Sequence, residues 1–96
     1  MPIMRAPSGS YKTFKIPCSG EGIFVAVNTL VATHGVVSVA YWNGTSMTAL
    51  TLTNSGLNIT SITVQDGIAT VIVLNDISNY ESTRVCFIPG DPLASN

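Results

Sequence analysis

The sequence predicts a single all-β domain: an antiparallel β-sandwich or jelly-roll-like barrel of about seven strands, with extended N- and C-terminal arms. Three observations support this. Thr, Ser, Val and Ile are the four commonest residues, and β-branched side chains favour pleated strands. Charged residues make up 9% of the chain, against about 25% in an average soluble domain, which is atypical of helical bundles and of disordered chains. Turn dipeptides recur between short apolar segments, as in antiparallel all-β domains.

Seven segments rich in Val, Ile, Thr and aromatic residues are predicted to be strands. In chain order they are residues 11–16, 22–32, 36–42, 45–53, 57–65, 68–74 and 82–88. At 96 residues, the chain is long enough for one core and too short to divide it between two domains.

The connections between the middle strands carry turn signals. Asn43-Gly44 and Asp66-Gly67 each predict a two-residue type I′ hairpin, because both central residues of that turn need a positive φ, which Asn, Asp and Gly tolerate. Residues 33–35 and 54–56, which both end in Gly, each suit a three-residue loop. Strands two to six are therefore predicted to form a continuous meander.

Several predicted strands have unusual apolar patterns. In residues 57–65 the apolar side switches partway, which predicts a β-bulge or a strand that crosses between two sheets. Residues 23–27, 36–40 and 68–74 are apolar at nearly every position, although each sheet of a two-layer sandwich has one dry face. The second face needs a cover, which either the chain's own ends or another subunit would supply.

Both ends of the chain are predicted to be arms around a β-domain at residues 11–88. Residues 1–10 and the tail at 89–96 contain Pro, Gly and Ser with few apolar side chains, so they have no core of their own. We expect them to dock on a neighbouring chain. The expected contacts are Ile3, Met4 and Arg5 in the N-terminal arm and Leu93 in the tail.

The sequence carries no recognisable catalytic or metal-binding pattern. A metal site needs clustered His, Cys, Asp or Glu, whereas the one histidine, His34, falls in a predicted turn. The five carboxylates fall in connectors or at strand ends, and no nucleophile elbow, P-loop or dinucleotide fingerprint occurs. We therefore expect no enzymatic activity, no cofactor and no metal. A net charge of -1 offers no basic surface, so we expect no nucleic-acid partner.

No segment approaches the roughly 18 apolar residues of a membrane span, and the first ten residues lack the apolar run of a secretory signal. We therefore expect neither a membrane partner nor export. Without export, free thiols are favoured over a disulfide for Cys18 and Cys86.

Tyr41-Trp42-Asn43 is the one local group with a recognisable binding chemistry. An aromatic ring beside an amide can stack on a sugar while the amide bonds the sugar hydroxyls. Neighbouring strand residues point to opposite faces, so Tyr41 and Trp42 cannot both be buried in one core. Ordinary packing with one exposed aromatic, a subunit contact and glycan binding all stay open, and we include the three residues in the candidate interface.

At the level of class, the chain resembles the small all-β virion proteins of tailed bacteriophages, and the capsid decoration (cement) proteins in particular. The resemblance lies in the low charge, in the Thr/Ser/Asn-rich strands at 45–53 and 58–64, and in the Pro-containing arms. It implies a non-enzymatic protein of the virion, assembled in the host cytoplasm, that binds the major capsid or another virion protein. Such proteins are homo-oligomers, often trimers, that brace a capsid. The class has no shared motif to align here, so no functional residue is carried over.

Two other functions compete with this expectation. A carbohydrate-binding or receptor-binding β-sandwich module would use Tyr41, Trp42 and Asn43. A subunit of a bacterial surface fibre would require export, for which the first residues give no signal.

Overall fold

A computed structural model of the chain describes residues 10–28, 36–52, 56–75 and 83–90. These residues form seven strands and no helix. The strands are β1 (Ser10–Pro17), β2 (Gly22–Asn28), β3 (Val36–Trp42), β4 (Met47–Ala49), β5 (Leu57–Gln65), β6 (Ile68–Asn75) and β7 (Thr83–Pro89). The first strand begins one residue before the predicted 11–88, and the last strand ends one residue after it.

The strands form two antiparallel sheets, and this confirms the predicted all-β sandwich. One sheet has the order β1-β6-β5 and the other β4-β3-β2-β7. Every strand pair in both sheets is antiparallel. The two sheets face each other, and β3 of one sheet packs on β5 of the other.

The continuous meander predicted for strands two to six is wrong at one connection. β2, β3 and β4 form a meander, and β5 and β6 form a hairpin, but β4 and β5 lie in different sheets. The chain changes sheet there because a sheet can bury an apolar face only against a second layer. Leu57 and Ile59 at the start of β5 are buried in the resulting core.

The fourth strand is much shorter than the predicted 45–53. β4 pairs with β3 over three residues, and the N–H of Leu50 then donates to the carbonyl of Val39 at 2.8 Å. The N–H of Val39 donates in turn to the side-chain Oγ1 of Thr51, at 3.1 Å, instead of to a strand carbonyl. The hydroxyl thus takes the place of the next ladder bond, and regular pairing ends there.

Of the two dipeptide turns predicted from the sequence, one is confirmed and one is wrong. Asp66 and Gly67 have φ values of 55° and 76° and connect the paired residues Gln65 and Ile68, which confirms the type I′ hairpin. The two-residue turn predicted at Asn43-Gly44 is wrong, because the pair Trp42–Met47 closes a four-residue loop. The Oδ1 of Asn43 accepts hydrogen bonds from the N–H groups of Thr45 and Ser46, at 2.8 and 2.9 Å, and this local capping favours the wider loop. Loop residues 33–35 and 54–55 lie outside the described residues.

The core lies between the sheets and is built from the inward side of each strand. Its largest fully buried apolar side chains are Phe24, Leu57, Val71 and Val73. The ring of Phe24 packs on that of Phe87 at a centroid distance of 4.7 Å, in a tilted arrangement that aromatic pairs favour. Among the described residues no buried side-chain nitrogen or oxygen lacks a hydrogen-bond partner.

The predicted irregularity in residues 57–65 is confirmed as a β-bulge. The register of β5 against β6 shifts between Ile59 and Ser61, which leaves Thr60 as the extra residue. The side chain of Thr60 donates to the carbonyl of Ile72 on β6 at 3.1 Å. Buried side chains on either side of the bulge, Ile59 and Ile62, therefore both face the core despite their odd spacing.

Candidate assembly surface

The outward side of the four-stranded sheet is made mainly of aliphatic side chains. In β2 the buried residues alternate with half-buried Ile23, Val25 and Val27, which point away from the core. Cross-strand pairing places β3 and β7 residues beside them in three rows: Tyr41–Ile23–Ile88, Val39–Val25–Cys86 and Val37–Val27–Arg84. We call these nine residues the aliphatic face.

The aliphatic face has side chains well exposed to solvent. Val37 is 45% exposed and Ile88 53% exposed, and Leu50, which follows β4 next to Val39, is 54% exposed. A sheet with one solvated face normally alternates apolar and polar residues, so these aliphatic positions depart from the usual pattern.

The outward side of the three-stranded sheet is more polar than the aliphatic face. Register places Thr13, Lys15, Ser61 and Thr63 there, on the two strands that flank β6. The Nζ of Lys15 donates to the Oγ1 of Thr70 at 3.1 Å. The apolar residues of this side are Ile68, Ile72 and Leu74 on β6 and Tyr11 on β1, which is 64% exposed. The two sheets therefore differ in how much apolar surface they present.

One charged residue lies at each end of the aliphatic face, and the two have opposite signs. Glu21 directly precedes β2, and its carboxylate accepts a hydrogen bond from the hydroxyl of Tyr41 at 3.1 Å. That hydrogen bond, with smaller contributions from desolvation and from the negative charge, raises the pKa of Tyr41 above its ordinary value. Arg84 is exposed at the other end, opposite Val27.

The three aromatic and amide candidates from the sequence are separated by the fold. Trp42 is 5% exposed and belongs to the core, whereas Tyr41 lies on the aliphatic face, as strand alternation requires. Trp42 is therefore corrected from a candidate surface contact to a core residue. Asn43 is exposed, but its side-chain oxygen is engaged with the N–H groups of its own loop. These positions do not bring an aromatic plate and an available amide oxygen together, as a sugar site would need.

The remaining candidate interface residues lie outside the described part of the chain. These are Ile3, Met4 and Arg5 in the N-terminal arm and Leu93 in the tail. His34 also lies outside it.

The two cysteines are free thiols in different environments, in line with the favoured prediction. Cys18 is buried, its Sγ lies 3.4 Å from the carbonyl oxygen of Gly20, and burial raises the pKa of its thiol. It lines an open depression of about 430 Å³ together with Pro17, Ser19, Gly67, Phe87 and Pro89. None of those five neighbours has a titratable side chain, so the depression offers little for acid–base chemistry. Cys86 is exposed on the aliphatic face.

Of the nine residues of the aliphatic face, the sequence singled out Tyr41 alone. Apolar residues at nearly every position of 23–27 and 36–40 were the signal, and Val25, Val39 and Cys86 were not singled out.

Within the described residues, no group of three or more His, Cys, Asp or Glu side chains is arranged to hold a metal ion. The same residues include no helix long and apolar enough to cross a membrane. No family model, curated protein or solved structure matches the chain.

Proposed function

We propose that this chain is a non-enzymatic structural protein of a virion that binds and stabilises a capsid or tail assembly. The aliphatic face is the single observation that carries the proposal, because a contiguous apolar surface exposed on a small domain is often a protein interaction site. The virion setting rests on the resemblance to phage decoration proteins.

The scarcity of charge supports an assembly role. Of the 96 residues, 9% are charged, and the cores of protein interfaces are similarly depleted in charged side chains. The partner is the major capsid protein or another virion protein, and the place of action is the virion, assembled in the host cytoplasm. The resemblance implies a trimer, which is an alternative to the dimer proposed below.

Glycan binding has less support than assembly. Trp42 is held in the core and the Asn43 side chain caps its own loop, so two of the three residues on which that function depends are engaged elsewhere. A glycan array with the purified chain tests it directly.

Co-sedimentation with particles tests the proposed function. The genes that flank this reading frame identify the capsid or tail proteins to be co-expressed, and the purified chain is then mixed with particles that lack it. We expect the wild-type chain to pellet with the particles and to raise the temperature at which they disrupt. Val25→Lys, which places a charge at the centre of the aliphatic face, should abolish both effects.

Ile72→Lys is the matched control for this experiment. Ile72 is also a β-branched aliphatic residue, half-buried and outward-facing in the central strand of its sheet, but it lies on the other side of the sandwich. It should bind particles like the wild type. If neither the wild-type chain nor the control pellets with any particle encoded nearby, the proposed function is wrong.

A further inference from the structure

We propose that the aliphatic face docks on the same face of a second copy of this chain, about a two-fold axis that crosses the strands. This deepens the proposed assembly role, on which it rests, because the dimer would be the unit that binds the particle and Val25→Lys would abolish binding by separating its two copies. Three features of the face select a second copy in this orientation: the positions of its charges, its central row and its size.

The charges on and beside the face are complementary to themselves. The described residues include five charged side chains, at Lys12, Lys15, Glu21, Asp66 and Arg84. Two of them, Glu21 and Arg84, border or belong to the aliphatic face. Val27, the cross-strand partner of Arg84, comes six residues after Glu21, so the two charges lie about 20 Å apart along the strands. They cannot pair within one chain at that separation.

A two-fold axis that crosses the strands exchanges the two ends of the face. The Arg84 end of one copy then lies over the Glu21 end of the other, and the same contact occurs twice, as an isologous interface requires. Facing sheets pack about 10 Å apart, a gap that one Arg and one Glu side chain together can span. An axis parallel to the strands would instead leave like ends together and both charges unpaired. The charge positions therefore favour the crossing axis.

The middle row of the face would lie next to this axis. Val39, Val25 and Cys86 are in register with one another. Since Phe24 is midway between Glu21 and Val27, the axis passes at Phe24. Val25 would then pack on Ile23 of the other copy, and Cys86 would lie opposite its Ile88. Protein interfaces usually have uncharged side chains at the centre and charged side chains at the periphery.

The size of the face predicts a reversible dimer. Three strand widths and seven residues give about 14 Å by 23 Å, or about 330 Å² in flat projection for each copy. Side-chain relief raises the accessible area above this value, but the total burial stays in the range of weak, transient contacts. We therefore expect a dissociation constant in the micromolar range.

Sedimentation of the full chain across the micromolar range tests the dimer. We expect the wild type to shift from 10.1 kDa to twice that mass as concentration rises. Val25→Lys should remain monomeric throughout, whereas the control Ile72→Lys should dimerise like the wild type. Circular dichroism and thermal unfolding of each variant show that it is folded.

A charge exchange tests the orientation. Glu21→Arg and Arg84→Glu should each raise the dissociation constant by about tenfold or more, because each places like charges opposite one another. The double variant Glu21→Arg/Arg84→Glu should restore most of the wild-type affinity. Since the two residues are too far apart to pair within one chain, recovery reports a contact between copies.

Cross-linking with a short bis-maleimide tests the position of the axis, because the two Cys86 residues would face each other with an offset of about 7 Å along the strands. Cys86 of one copy should link to Cys86 of the other, and Cys86→Ser should abolish the product. Cys18→Ser should leave it unchanged, because Cys18 is buried away from this face.

Several outcomes would overturn the inference. They are a monomer at every concentration, a trimer, a dimer that persists in Val25→Lys, or a double charge variant as weak as the single ones. A monomer that loses much more thermal stability in Val25→Lys than in Ile72→Lys would show that another segment of the same chain covers the face. A monomer that still binds particles would overturn the dimer and leave the proposed function standing, and a dimer that binds no particle would do the reverse.

Discussion

The side-chain hydroxyl of Ser38 in β3 accepts a hydrogen bond from the backbone N–H of Ile59 in β5, at 3.0 Å, and so joins the two sheets through the core. Both residues are buried, with 5% and 6% of their surfaces exposed. Ile59 lies where the register of β5 begins to shift at the bulge. Since a buried N–H needs a partner, Ser38 satisfies an amide that hydrophobic packing alone would leave unpaired.

Ser38→Ala should lower the free energy of unfolding by about 1–3 kcal/mol, because it removes the acceptor and leaves the Ile59 N–H buried without it. Urea denaturation followed by tryptophan fluorescence measures the change, since Trp42 belongs to the same core. Ser19→Ala, at an exposed position, is the control and should change stability by less than about 0.5 kcal/mol. Equal stability of Ser38→Ala and the wild type would mean that this bond is not needed for the fold.

Gly22→Ala should destabilise the sandwich by about 1–3 kcal/mol through steric overlap in the core. A Cβ at Gly22 would meet two atoms of the Phe87 ring, at 2.6 and 2.7 Å, and would also overlap the carbonyl oxygen of Ile88. The ring of Phe87 is held in turn by Phe24, so it cannot move away without loss of that contact. Thermal unfolding measures the shift.

Gly90→Ala is the matched control for Gly22→Ala. The closest approach of a Cβ there is 3.4 Å, an ordinary van der Waals contact, so this variant should unfold close to the wild-type temperature. If both variants lost the same stability, the effect would come from the removal of glycine and not from the packing of Phe87.

The parts of the fold that could be predicted from the sequence are those decided by local chemistry. Asp66-Gly67 forms the predicted turn because its two positive φ values depend on those two residues alone. Asn43-Gly44 has the same dipeptide signal and a different loop, because the Asn43 side chain bonds the following N–H groups. The sheet to which β5 belongs depends on packing between distant segments, and no local pattern encodes it.

The candidate surface was predictable in kind and not in detail. Apolar residues on both sides of the second and third strands indicated that a second cover was needed. Which residues share the face depends on cross-strand register, which brings Val25 and Cys86 together from opposite ends of the sequence. The placement of Glu21 and Arg84 at opposite ends of that face likewise follows from the register and not from their spacing in the sequence.

Glu21→Gln should lower the pKa of Tyr41. In the folded chain the protonated phenol donates to the Glu21 carboxylate, and its loss of a proton would place two anions side by side. The contribution of this pair to stability is therefore fully present below the ordinary tyrosine pKa of about 10, and is lost as the pH rises through the higher pKa of the folded state. Ultraviolet absorbance of the phenolate as a function of pH measures the shift.

Tyr41→Phe identifies the relevant transition in that titration, since the chain has three tyrosines. The absorbance change that disappears in Tyr41→Phe is the one that should move to lower pH in Glu21→Gln. A Tyr41 transition at the same pH with Glu and with Gln at position 21 would contradict the structure at this end of the aliphatic face.

The two thiols should differ in reactivity, and one of them should depend on protein concentration. The thiolate is the reactive form of cysteine. Cys18 is buried, and burial raises the pKa of its thiol. An aromatic disulfide reagent should therefore modify exposed Cys86 first. Dilute protein should give a fast phase that Cys86→Ser removes and a slow phase that Cys18→Ser removes.

If the aliphatic face pairs with a second copy, the fast phase should slow as the concentration enters the micromolar range, while the slow phase stays constant. Val25→Lys should abolish that concentration dependence, and a fast phase with the same rate at every concentration in the wild type would place Cys86 outside any interface between copies.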